Sequence, residues 1–111
     1  MRQIKGQRKG LSVWNVGDKE YHRLYNTIIV ERDGDKVTLN TGGWKTNHTK
    51  NCMNDFLRRF GFGVYQKDFV WYVRGREVSF SFDVDKVTFT IIDTPMGLQI
   101  GNFREEVIRT A

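Results

Sequence analysis

Apolar residues fall at Met53, Phe56, Leu57 and Phe60, spaced i, i+3, i+4 and i+7, so they draw one stripe along a helix. Thr49 lies on the same side one turn earlier. Thr46, Asn47 and Thr49 can each offer an oxygen to the free N–H groups at the helix start. Gly61 stands where a left-handed residue ends the last turn, with Phe62 folding back on the stripe. Asn47, Asn51, Asn54 and Arg58 share the opposite face.

Elsewhere the period shortens to two. Leu11–Val16 alternates and predicts a short strand with Trp14 on its buried side. Residues 17–20 predict a turn. Tyr25 to Arg32 is rich in β-branched residues, and Asp33-Gly34-Asp35 joins it to Val37–Asn40 as a hairpin. Val64–Gln66 is extended, Lys67-Asp68 a bulge or turn, and Phe69–Val73 apolar on both faces, hence a central strand. Arg74-Gly75-Arg76 turns the chain. Val78, Phe80 and Phe82 alternate with polar residues, as do Val87, Phe89 and Ile91. Residues 93–101, with the one proline, Pro95, predict a loop. Asn102 with Glu105 resembles a capping box for a short C-terminal helix docked by Val107 and Ile108. The class expected is α+β: a mostly antiparallel sheet of about five or six strands, the main helix packed across one face, and a short C-terminal helix.

The 111 residues make one domain. The net charge is +5, and its location matters more than its size. Arg2, Lys5, Arg8 and Lys9 precede any acidic residue, leaving fourteen basic against thirteen acidic residues in the rest. Residues 1–10 therefore read as a basic flexible arm and 11–111 as a single α+β domain. Such an arm suits nucleic acid or serves as a solubilising tail. One cysteine, Cys52, forms no internal disulfide, which fits a reducing cytosolic setting. No apolar run approaches the ~20 residues that span a bilayer, so no membrane partner is expected.

The stretches LNTGGWKTNHTKNCMN and FGVYQKDFVWYV resemble a small protein family of tailed bacteriophages. There a Gly-Gly-Trp-x-Thr turn opens a helix and a strand with an aromatic pair follows, as at Gly42-Gly43-Trp44 and Gln66-Lys67-Asp68-Phe69. The likeness covers about half the chain. It implies phage origin and the host cytoplasm, and supplies no catalytic or binding residues.

Catalytic chemistry is not expected. His48 and Cys52 share a helix side, but a structural zinc site wants four ligands, and nothing orients the histidine as a base. Gly42-Gly43 lacks the Gly-Lys-Ser/Thr of a phosphate loop. Asp33, Asp35, Asp83 and Asp85 sit in turns, where turn chemistry asks for them. Neither metal nor cofactor is expected. What remains is basic and aromatic surface, the pattern of single-strand binders. Trp44 after two glycines is either a core plug or an exposed anchor. Candidate contacts are Arg2, Lys5, Arg8, Lys9, Trp44, Lys45, Asn47, Lys50, Asn51, Asn54 and Arg58. Tyr65, Trp71, Tyr72, Arg74 and Arg76 are secondary. The expected role is an accessory protein binding DNA or RNA. The alternatives are a non-catalytic inhibitor of a host defence enzyme or polymerase, and a self-assembling component, a homodimer through a sheet edge or the helix.

Overall fold

A computed structural model describes residues 8–75, 79–82, 86–95 and 97–106. Among the described residues nine strands form two antiparallel sheets. Strands β1 (Leu11–Val16), β2 (Lys19–Leu24), β3 (Thr27–Asp33) and β4 (Lys36–Asn40) come first. Helix α1 (Asn47–Leu57) follows, closed by a 3-10 turn at Arg58–Phe60. Then come β5 (Gly63–Lys67), β6 (Val70–Arg74), β7 (Ser79–Phe82), β8 (Lys86–Thr94) and β9 (Gly97–Glu106). The larger sheet has the order β1-β2-β3-β4-β8-β9, the smaller β5-β6-β7. Helix and small sheet are thus an insertion between β4 and β8, which pair from Lys36↔Thr90 to Asn40↔Lys86.

This corrects the expected α+β class with one sheet and two helices. Among the described residues α1 is the one α-helix, and most of the chain is strand. The C-terminal helix is replaced by β9, which pairs with β8 from Thr94↔Gly97 to Lys86↔Glu106. A ladder of this length, with one register shift between Thr88 and Thr90, pairs backbone groups along most of both strands, whereas a capping box stabilises a single helix end. The loop expected over 93–101 shrinks to the turn at Pro95. Val107 and Ile108, expected to dock the helix, lie outside the described residues, as do Arg76 and Val78.

The helix obeys its pattern. Thr49, Cys52, Met53, Phe56 and Leu57 are buried, Thr46 Oγ1 accepts from Thr49 N–H, and Gly61 is left-handed with φ 79°. Its stripe packs with Ile29, Val30, Val37, Leu39, Val87 and Phe89 of the large sheet and with Val64, Trp71 and Val73 of the small one. Asn54 does not face solvent as a free polar residue. Its Nδ2 donates to Val64 O at 3.0 Å and its Oδ1 accepts from Val64 N–H at 2.6 Å. One amide thus docks the helix to the edge of β5.

Trp14 departs from its expected place. Leu11 is buried and Val13 packs on the core, so the indole takes the opposite face, half-buried and stacked on Tyr21 at 5.4 Å. The turn expected at 17–20 tightens to Gly17-Asp18, and Tyr25-Asn26 is a turn rather than the start of a strand.

Candidate functional site

The chain from Asn40 to Thr46 builds a platform beside the helix start. Gly42 N–H bonds Asn40 Oδ1 at 2.9 Å and Gly43 N–H bonds Thr41 Oγ1 at 3.1 Å, so two side chains lock the turn. Gly42 has φ 62°, and a Cβ there would stand 2.7 Å from Thr27 Cγ2. Only glycine permits both the conformation and the approach. Trp44 follows with nowhere to go inward, and 68% of its surface is exposed. The indole is an exposed wall, not a core plug.

The facing wall is Tyr25, in the β2–β3 turn at φ 54° and 57% exposed. Its N–H bonds Gly10 O at 2.9 Å, and its ring lies over Gly10 where a side chain would collide. His48 stands beside it, ring centres 6.3 Å apart, with Nε2 bonded to Lys9 O at 2.7 Å. Between these walls lies a pocket of about 620 Å³, lined also by Leu24, Ile29, Asn26, Thr27, Thr41, Thr46 and Thr49. That volume falls within the ~300–1,000 Å³ typical of ligand sites. Its floor is apolar and its edges carry an amide, hydroxyls and an imidazole, while among the described residues no carboxylate lines it.

Three lysines are close to the lining residues in sequence: Lys45 follows Trp44, Lys50 follows Thr49 on α1, and Lys9 sets its backbone carbonyl against His48. The first helical turn contains no acidic residue, so the positive end of the dipole is uncompensated by side chains.

The other candidates divide. Arg8 Nε pairs with Asp55 Oδ2 at 2.7 Å, and Arg58 Nη1 with Asp55 Oδ1 at 3.4 Å. One carboxylate is thus shared by two guanidinium groups and offsets one of their two charges. Asn54 is committed to β5. Asn47 is exposed and Asn51 half-buried. Arg2 and Lys5 lie outside the described residues, while Arg8, Lys9 and Gly10 are tied to the body by the contacts above. Of these candidates Trp44 lines the pocket; Lys45, Asn47 and Lys50 are neighbours of lining residues in sequence, Lys9 reaches His48 through its carbonyl, and Asn54 and Arg58 lie apart around a second cavity. Tyr25 and His48 were missed as pocket walls. Tyr25-Asn26 between two strand-like runs is the two-residue hairpin signal that could have revealed the first.

Cys52 is fully buried, and burial pushes its thiol up, away from the reactive thiolate. Among the described residues no three His, Cys, Asp or Glu side chains gather so as to hold a metal ion. None of the helices there is long and apolar enough to cross a membrane.

A second polar cluster lies under the helix end. His22 is buried on the inner face, its Nε2 donating to Glu20 Oε2 at 2.5 Å, while Arg59 also grips Glu20 at 2.5 Å. Desolvation lowers the His22 pKa against the pull of Glu20. Desolvation would raise that of Glu20, but hydrogen bonds from Arg59 and His22 outweigh it and hold it low. His22 Nδ1 has no partner among the described residues.

Residues 12–90, which include the whole pocket and its glycine turn, match the family described as Kyanoviridae Gp96 protein. No curated protein and no solved structure matches the chain.

Proposed function

The chain belongs to the Kyanoviridae Gp96 protein family, a family of phage proteins, and on that footing we propose that it binds single-stranded nucleic acid at the Trp44 pocket. The observation that carries this reading is the indole, 68% exposed at the mouth of an apolar pocket, with Lys45 and Lys50 next to lining residues in sequence. A base enters between Trp44 and Tyr25, where stacking tolerates any sequence. Asn26, Thr27 and His48 meet its edge. Lys9, Lys45 and Lys50, with Arg2 and Lys5 of the arm, meet the phosphates, and the helix N-terminus adds its partial positive charge. In this reading the Gly-Gly-Trp-x-Thr turn is the working part of the family, and the protein is a non-catalytic accessory factor in the host cytoplasm.

The test is anisotropy titration of a labelled oligonucleotide, single-stranded and duplex, DNA and RNA, at low ionic strength. Single strands are expected to bind and to quench Trp44 emission. Absence of binding to all four sinks the reading. The apolar floor formed by Leu24 and Ile29 also favours a second reading, an inhibitor that takes a side chain of a host enzyme into the same pocket. A pull-down from nuclease-treated host lysate separates the two. A stoichiometric protein retained by wild type and lost with Trp44→Ala favours the inhibitor.

A further inference from the structure

The hairpin joining β5 to β6 carries an outlier. Its two turn residues, Asp68 and Phe69, both have positive φ, 52° and 67°. Glycine and asparagine are the residues that adopt this turn at no steric cost. A phenylalanine there is both conformationally disfavoured and, at 92% exposure, in contact with almost nothing. The hairpin behind it is firmly built, since Gln66↔Trp71 and Lys67↔Val70 pair in register and Trp71 is buried. The ring is therefore held out from the body on a rigid support. An exposed aromatic on such a support has the character of a binding anchor.

We infer that Phe69 inserts into the Trp44–Tyr25 pocket of a second copy of this chain. Three features of the molecule select that occupant. The pocket has aromatic and aliphatic walls open to solvent, and its volume of about 620 Å³ admits a phenyl ring. Asp68, beside the ring, supplies the one carboxylate of the tip, whereas among the described residues the pocket lining holds none, and Lys45 and Lys50 directly follow the lining residues Trp44 and Thr49 in sequence. Lys67 lies one residue further back, on the strand. Knob and pocket are also different patches of one surface. One copy therefore offers both halves of the contact at once, and a chain that has lost one half keeps the other. This inference is independent of nucleic acid, although a base and Phe69 would compete for the same walls.

The experiment is sedimentation velocity of nucleic-acid-free protein, raised to about 1 mM so that weak contacts are populated. Wild type should rise above the 13.1 kDa monomer as concentration increases. Phe69→Asp, which removes the knob, and Trp44→Glu, which spoils the pocket, should each remain monomeric. Both positions are exposed, so both variants should keep the native circular dichroism. Mixed in equal amounts, the intact pocket of one variant and the intact knob of the other should form a dimer that goes no further. Three results would each overturn the inference: a wild type that stays monomeric, a Phe69→Asp variant that associates like wild type, or a mixture that never exceeds monomer mass. None of these results bears on nucleic-acid binding, which is measured separately.

Discussion

Trp44 and Phe69 are the two most exposed large hydrophobic side chains among the described residues. Aromatic residues of this kind are enriched where partners bind. Trp44→Ala should weaken single-strand affinity by about 1–3 kcal/mol, the worth of one stacked base, while leaving thermal stability within about 0.5 kcal/mol. Fluorescence titration and a melting curve check the two halves. Phe69→Gly should raise stability by about 1 kcal/mol, because glycine relieves the left-handed conformation and the exposed ring has little packing to lose. A lower melting temperature would mean that the ring packs against something in solution. The apolar pattern puts Phe69 at the start of a central strand, whereas it lies in the turn before β6, and it leaves Trp44 open between core plug and exposed anchor. Periodicity reports which side of an element faces the core, but both aromatics lie in turns, where the period is broken.

The elements follow the sequence where the signal is local. Asp33-Gly34 does join two strands, and Met53, Phe56 and Leu57 do face the core. What local signals could not supply is pairing at a distance. β4 meets β8 across the whole inserted helix and small sheet, and that bond decides that there are two sheets rather than one. Likewise Asn102 and Glu105 make a good helix start in isolation, and the partner that defeats it, β8, begins at Lys86. The candidate helix face was legible as a polar face, yet Asn54 and Arg58 look alike in the pattern and serve different ends. Asn54→Ala should cost about 1–3 kcal/mol, since the paired N–H and C=O of Val64 lose their partner, and Asn54→Asp should restore only the bond to Val64 N–H. Urea denaturation of the three proteins checks it.

Acid should loosen the contact between β2 and the helix end. An unfolded histidine takes up a proton near pH 6.5, whereas burial keeps His22 neutral to a lower pH. The stability linked to neutral His22 is thus complete above about pH 6.5 and declines as pH falls towards the folded value. Glu20 adds to this with the same sign, its contribution present above its ordinary value near 4.5 and lost as pH falls through the lowered folded one. The urea midpoint should therefore drop between about pH 7 and about pH 5, and His22→Phe should flatten that drop. An unchanged slope in the variant would remove His22 as the cause.

At the scale of the whole molecule the charge is divided. Asp55 ties down Arg8 and Arg58 at the end of the helix, while Lys45 and Lys50 lie around its start. The molecule thus has one end suited to an anionic strand rather than a uniformly basic surface. The deciding measurement is single-strand affinity against salt for wild type and Trp44→Ala. With about five phosphates neutralised by Arg2, Lys5, Lys9, Lys45 and Lys50, the logarithmic slope for wild type should be about −3.5. The Trp44 variant should run parallel and lower, because stacking carries no counterions. Affinity that ignores salt, or a Trp44→Ala line superimposed on that of wild type, would contradict the account.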